Sequence, residues 1–269
     1  MDRIGFIGSG NMAEALIKGI ITAEVYAPAD VFISDIRAEC LKSLAKKYSV
    51  TPVQSNAELA ANVETLVLSV KPQNLPDALN SIKGAVKKDS LVISIVAGKR
   101  VAGIAAVLGD IGIVRVMPNT PALIGEGASA LFANQRAKPM LEKAKSIFSS
   151  VGKAIVIDDE DLMDAVTAVS GSGPAYYFLL MEEMIKTGVE LGLSEEIAKE
   201  LVLQTAKGAG MLAVEADKSG EDPAVLRQKV TSPGGTTEAA LKVLAEAKFG
   251  SLIAAAVRKA REQSQQLSN

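Results

Sequence analysis

Short apolar runs alternate with helical patterns through about residue 160. Ile4–Ile7, Val31–Ser34, Thr65–Val70, Leu91–Val96, Ile113–Val116, Ser129–Phe132 and Ala154–Ile157 read as strands. Between the first two, Met12, Leu16 and Ile20 recur every fourth residue with Ile17 and Ile21 beside them, an apolar stripe suited to packing on a sheet. Ser55-Asn56-Ala57-Glu58 is a capping box that opens another helix. This alternation predicts an α/β domain: a mostly parallel, doubly wound sheet with helices on both faces. After Asp158 no strand pattern appears and helical periodicity takes over, so the boundary is expected near residue 160, with an α/β domain over 1–160 and an all-helical domain over 161–269. Pro174, Ser194-Glu195-Glu196 and Asp222-Pro223 read as helix starts, and Gly192 and Gly220 as stops. The helices Ala175–Leu191 and Ile197–Val214 are apolar around much of their circumference. Such surface is expected to bury against a second copy of the chain, with closure against its own α/β domain as the alternative. Arg258–Asn269, charged and glutamine-rich, reads as a solvated helix end that frays.

Charge and composition narrow the functional classes. With 29 basic and 31 acidic residues spread along the chain, there is no basic field for a nucleic acid. Apolar runs are broken by charges before they could span a bilayer, and the start leads directly into a strand, so a cytoplasmic protein is expected. The single cysteine, Cys40, reads as a small buried hydrophobe. Histidine is absent altogether, which removes the commonest general acid/base near neutral pH and the commonest zinc ligand. No metal site is expected. Any chemistry must run on hydroxyls, lysine, carboxylates, backbone dipoles and a cofactor.

Ile4-Gly5-Phe6-Ile7-Gly8-Ser9-Gly10-Asn11-Met12-Ala13 puts Gly-x-Gly-x-x-Ala between an apolar strand and an amphipathic helix. That context is a Rossmann-type dinucleotide fingerprint: bare backbone at Gly8 and Gly10 lets a pyrophosphate reach the N–H groups of the following helix. Beyond the second strand, Asp35 could accept from a ribose 2′-hydroxyl, or Arg37 could hold a 2′-phosphate while Asp35 swings into solvent. NADP(H) is favoured on this reading, with NAD(H) as the alternative. Lys71, in Val70-Lys71-Pro72-Gln73, could meet phosphate or ribose. Met117-Pro118-Asn119-Thr120-Pro121 offers an amide to a carboxamide edge, and Val96-Ala97-Gly98 ends another strand. Each of these turns could equally be a simple loop closure. In the helical half, Ser170-Gly171-Ser172-Gly173-Pro174 and Thr231-Ser232-Pro233-Gly234-Gly235-Thr236-Thr237-Glu238 have the makings of anion nests before helices, suited to a small carboxylate. An ordinary capped helix–helix turn is the other reading of both.

Taken in order, these motifs resemble pyrroline-5-carboxylate reductases over nearly the whole length. The Ser232–Thr237 segment is the most specific of them, since the glycine fingerprint occurs in many dehydrogenases. The resemblance implies reduction of 1-pyrroline-5-carboxylate to L-proline by NAD(P)H. It also implies Gly8, Gly10, Asn11 and Met12 at the pyrophosphate, Asn56 near the adenosine ribose or its phosphate, and Val70, Lys71, Pro72, Ala97, Gly98 and Asn119 along ribose and nicotinamide. Ser232, Gly235, Thr236 and Thr237 would hold the substrate carboxylate, with the Thr237 hydroxyl near the imine nitrogen. Interlocked dimers, often assembled into decamers, are the implied oligomers, in which the Ser232–Thr237 loop can complete the partner's site. Two rival readings remain: a same-fold reductase of another cyclic imine or a hydroxyacid, and a non-catalytic NAD(P)-binding sensor. A hydroxyacid dehydrogenase of the related β-hydroxyacid family would carry a lysine soon after the Ser-Gly-Pro turn; here Ala175-Tyr176-Tyr177-Phe178-Leu179 follows it.

Overall fold

The computed structural model describes residues 2–268. Strands β1 (Ile4–Ile7), β2 (Val31–Ser34), β3 (Thr51–Pro52), β4 (Thr65–Leu68), β5 (Leu91–Ser94), β6 (Gly112–Met117), β7 (Gly127–Ala133) and β8 (Gly152–Val156) form one eight-stranded sheet in the order β3-β2-β1-β4-β5-β6-β7-β8. Pairing is parallel throughout except between β6 and β7. Helices α1 (Asn11–Thr22), α2 (Ala38–Tyr48), α3 (Asn56–Asn62), α4 (Leu75–Ile82), α5 (Val101–Leu108) and α6 (Leu141–Ser149) connect the strands.

The expected α/β fold is present, and its central strands β1, β4 and β5 are buried on both faces, which is why they read as unbroken apolar runs. Successive residues point to opposite faces. Phe6, Ile33, Val67 and Ile93 join Leu16, Ile17 and Ile20 of α1 and Phe148 of α6 in one core layer. Ile7, Leu66, Leu68 and Val92 join Leu59 of α3, Leu79 of α4 and Ile104 of α5 in the other. Leu16, Ile17 and Ile20 are fully buried, each contributing about 1.5–3 kcal/mol of transfer free energy.

From Met163 on, the chain is helical: α7 (Met163–Val166), a π-helical segment (Thr167–Gly171), α8 (Gly173–Glu190), α9 (Glu195–Asp217), α10 (Pro223–Lys229), α11 (Thr236–Glu246) and α12 (Phe249–Ser268). The expected caps are made, Ser194 accepting from Ile197 N at 3.3 Å and Asp222 from Val225 N at 2.9 Å. The chain divides into two compact units: one runs up to Pro174 and resumes at Lys259, and the other is Ala175–Arg258. Among the described residues of the second unit, Ala198 alone is buried.

Three local expectations are corrected. Cys40 is only half-buried in α2, because the core-facing stripe of that short helix is centred on Leu44. The end of α12 is solvated over most of its surface, as expected, but it is anchored at one point: Ser264 is 5% exposed and donates to Asp164 Oδ1 at 2.6 Å within the first unit. The segment Ser170–Pro174 is not a nest. Ser172 N donates to Thr167 O at 2.8 Å in the widened π register, so the helix continues through the glycines. A Cβ on Gly171 would lie 2.5 Å from Met117 Cε, so the bare glycine lets the end of that flexible side chain rest against the helix. Pro174 has no N–H to offer the Ser170 carbonyl, and Asn119 Nδ2 supplies one instead at 3.3 Å.

Candidate active site

Strand register brings four strand ends level: Ile7 pairs with Ser34 on one side and Leu68 on the other, and Leu68 with Ser94. Chain order reverses at β1, between β2 and β4, so the loops leaving these strands part and open a crevice at their carboxyl ends. Gly8–Gly10, Asp35–Arg37, Ser69–Pro72 and Ile95–Gly98 all leave the sheet at that edge.

Gly8 has φ +93°, and a Cβ there would lie 2.7 Å from the Ser69 carbonyl oxygen. Its N–H donates to Ser34 O at 2.8 Å, which fixes the turn. At Gly10, the N-cap of α1, which offers no side chain to the first-turn N–H groups, a Cβ would meet nothing within 4 Å. The first-turn N–H groups of α1, from Asn11 and Met12 onward, have no intrahelical acceptor and carry the helix's positive end. Between the glycines, Ser9 Oγ is the one buried side-chain polar atom without a partner among the described residues. An unmade hydrogen bond at such a group costs about 1–3 kcal/mol. A phosphate oxygen would supply the missing partner. Orphaned hydroxyl, bare glycine backbone and open helix start together fit a dinucleotide pyrophosphate. Ser9 is absent from the motif-based set because a serine between turn glycines gives no sign in sequence of being buried.

Asp35 and Arg37 behave differently from the expectation. The Asp35 side chain is 5% exposed and that of Arg37 57%, so the carboxylate does not swing into solvent. Asp35 Oδ2 accepts from Ser9 N at 2.7 Å, and the Arg37 guanidinium grips both carboxylate oxygens at 2.9 Å. Burial pushes the Asp35 carboxyl up, but the Arg37 guanidinium and the Ser9 and Arg37 backbone N–H groups outweigh it and hold the group below the usual carboxylate range. The carboxylate thus braces the glycine turn, while the Arg37 side chain stays largely in solvent.

The remaining expected residues of the first unit fall on the same edge or on its supports. Asn56 accepts from Ser34 Oγ at 2.8 Å and donates to Ser81 Oγ at 2.9 Å, bracing the end of β2. Val70 is half-buried, and Lys71 and Pro72 lie exposed where the chain turns off β4. Ala97 is half-buried and Gly98 buried with φ +69°. Asn119 has its amide committed, Oδ1 to Ala128 N at 2.8 Å and Nδ2 to Ser170, so its side chain ties two segments together.

Ser232, Gly235, Thr236 and Thr237 form their own cluster in the second unit, where the loop after α10 enters α11. Its anion-binding capacity is smaller than consecutive glycines suggest. Gly234 N donates to Glu238 Oε2 at 2.7 Å and Gly235 N to Ser232 O at 3.0 Å. Open N–H groups begin at Thr236, the first residue of α11, whose N-cap Gly235 adds no side chain. A Cβ on Gly235 would lie 2.6 Å from Ser232 Oγ, so glycine is what lets that hydroxyl sit over the helix start. Glu238, which locks the loop, was not among the expected site residues, although its place at the third helical position is a recognisable capping signal.

Among the described residues no cluster of three or more His, Cys, Asp or Glu could hold a metal ion. No helix there is long and apolar enough to cross a membrane.

Residues 160–267 match the family model for pyrroline-5-carboxylate reductase dimerisation, and residues 3–98 that for coenzyme F420-dependent NADP oxidoreductases. A pyrroline-5-carboxylate reductase of Pseudomonas aeruginosa is 46% identical over 268 residues, covering 99% of this chain and 97% of the relative. The chain belongs to the pyrroline-5-carboxylate reductase family. Solved members of the family superpose along its whole length. A pyrroline-5-carboxylate reductase of Coxiella burnetii has TM-score 0.92 and 38% identity, over 100% of this chain and 99% of its own. A Plasmodium falciparum pyrroline carboxylate reductase crystallised with NADP bound has TM-score 0.88 and 34% identity, covering 100% and 98%.

Proposed function

We propose that this chain reduces the C=N bond of 1-pyrroline-5-carboxylate with NAD(P)H to give L-proline, the last step of proline biosynthesis. The observation that carries the reading is a full-length relationship to such reductases, in a chain whose glycine turn keeps an unpartnered buried hydroxyl for a phosphate. When bound, the dinucleotide supplies the hydride. Asn11 and Met12 would hold its pyrophosphate through first-turn N–H groups of α1, Gly8 and Gly10 would keep the approach free of side chains, and Asn56 would brace the adenosine side. Val70, Lys71, Pro72, Ala97, Gly98 and Asn119 shape the wall along ribose and nicotinamide. Ser232, Gly235, Thr236 and Thr237 clamp the substrate carboxylate at the start of α11. Thr237 Oγ1 accepts from the imine nitrogen, which is partly protonated near neutral pH. A chain with no histidine suffices, because an imine that already carries its proton needs alignment more than it needs a strong base.

NADP(H) is the favoured cofactor, and Arg37 is the residue that would meet its 2′-phosphate. Arg37→Ala is expected to raise KM for NADPH about tenfold and leave KM for NADH nearly unchanged, the size of one charged hydrogen bond. Equal shifts for the two cofactors would remove Arg37 from the 2′-phosphate.

Residues 161–269 are proposed as the dimerisation and substrate domain of a cytoplasmic homodimer able to build decamers. Support comes from the second unit's exposed Phe178, Leu180, Leu201, Met211 and Leu212, more apolar surface than a soluble monomer normally shows. A cavity of about 380 Å³ in the first unit, lined by Ala128, Ala130, Ile155, Leu162 and Val166, is a further apolar face for a partner.

The test is the initial rate of NADPH and, separately, NADH oxidation with racemic 1-pyrroline-5-carboxylate, with L-proline identified as product and the same preparation sedimented. Saturable turnover to proline by a dimer or larger assembly is expected. Cofactor binding without turnover would defeat the catalytic reading, and a stable monomer at low micromolar concentration the oligomeric one.

A further inference from the structure

The last turn of α12 lies against the turn that ends β5. A Cβ on Gly98 would lie 3.0 Å from the carbonyl oxygen of Leu267 and 3.1 Å from its Cβ, so the two backbones touch with no side chain between them. Gly98 is at φ +69°, a conformation a side chain would strain, and it is buried. Helix ends fray unless tied down, and this one is tied. One turn earlier, Ser264 is buried and its Oγ donates to Asp164 Oδ1 in α7 at 2.6 Å. The other flank of the Gly98 turn is held independently. Glu160 Oε1 accepts from Val101 N at 2.9 Å and from the buried Arg115 at 3.0 Å, and Arg100 pairs with Asp161. Ala97–Arg100 is therefore fixed on one side by a charged cluster and on the other by the α12 backbone.

We propose that Ser264 is a positioning residue for the cofactor: by latching the last turn of α12 to Asp164, it holds Leu267 against Gly98 and sets the Ala97–Gly98 turn at the nicotinamide end of the crevice. This rests on the reading above that a dinucleotide occupies the carboxyl ends of the strands. Ser264 touches neither cofactor nor substrate. Its loss acts through the turn, so it weakens cofactor binding selectively and spares the loop at Ser232–Thr237.

The experiment compares Ser264→Ala, Ser264→Thr and Ser264→Val in the full chain, with NADPH binding followed by nucleotide fluorescence and steady-state kinetics run in parallel. Threonine keeps the hydroxyl, and valine has the same shape without it, so their difference isolates the latch from packing. Alanine and valine are expected to raise Kd and KM for NADPH about fivefold, as one buried hydrogen bond allows, with KM for 1-pyrroline-5-carboxylate within twofold of wild type and threonine close to wild type. NADPH affinity unchanged in both alanine and valine variants overturns the latch. So does a loss that threonine shares with valine, or a parallel fall in every kinetic constant together with Tm, which would mark Ser264 as structural only. Wild-type protein that fails to bind NADPH would instead overturn the cofactor reading itself.

Discussion

Gly8→Ala is expected to cost the protein about two orders of magnitude in NADPH affinity. At φ +93° an alanine incurs roughly 1–2 kcal/mol of backbone strain, and its Cβ would lie 2.7 Å from the Ser69 carbonyl oxygen. Ser69 has little freedom to retreat. Its N–H donates to Ile7 O at 2.9 Å, and its hydroxyl to Gly8 O at 2.6 Å. The ends of β1 and β4 must therefore part, and the turn carrying Ser9 and the start of α1 moves off the position proposed for the pyrophosphate. Losing one or two charge-assisted hydrogen bonds, about 1.5–3 kcal/mol each, gives a loss on the order of a hundredfold. Gly10→Ala is the control that separates strain from steric exclusion. At φ −82° with nothing within 4 Å of its Cβ, alanine there is tolerated by the fold, so Tm should hold while a bound pyrophosphate is crowded. Fluorescence titration with NADPH beside a thermal melt reads both variants. A Gly8→Ala protein that binds NADPH as wild type does would show that the turn is not the phosphate site.

Most of the sheet was legible in sequence because strands buried on both faces leave continuous apolar runs. The ends were less so. Thr65–Val70 and Leu91–Val96 overshoot β4 and β5 because Val70 and Val96 stay partly or wholly buried after ladder pairing has stopped. β3 was invisible: Thr51 and Pro52 are both exposed and too few to make a pattern. Two other misses turn on partners distant in the chain. Asp35 is fixed by the N–H of Ser9, 26 residues away, and the charged, glutamine-rich end of α12 is anchored by Asp164, 100 residues away. The glycines at 171 and 173 look like a loop in local composition, yet both lie in a continuous helical run, in which Ser172 N bonds back to Thr167 O. Sequence thus marked the turns that leave the carboxyl edge of the sheet, whereas the bonds that orient them emerged only once the chain had folded.

Thr237→Ala is expected to lower kcat/KM for 1-pyrroline-5-carboxylate about thirtyfold, from loss of about 2 kcal/mol in a hydrogen bond to a charged group. KM for NADPH should stay where it is. Thr237 is the second residue of α11 and is half-buried. Alanine favours helix by up to about 0.7 kcal/mol over threonine, so the protein should not lose stability. Falling activity at unchanged or raised Tm is therefore a signature that a folding defect cannot imitate. Thr237→Ser should recover most of the loss and Thr237→Val none of it, while a Thr237→Ala enzyme with full kcat/KM would end the role given to this hydroxyl. The same variant, mixed with Gly8→Ala, also asks whose site the loop completes. In a randomly exchanged population about half the dimers are mixed. If cofactor turn and substrate loop of one site come from different subunits, each mixed dimer has one intact site and one doubly altered site, and about a quarter of wild-type activity returns. If both come from one subunit, no mixed dimer has an intact site, and activity stays at the level of the separate variants.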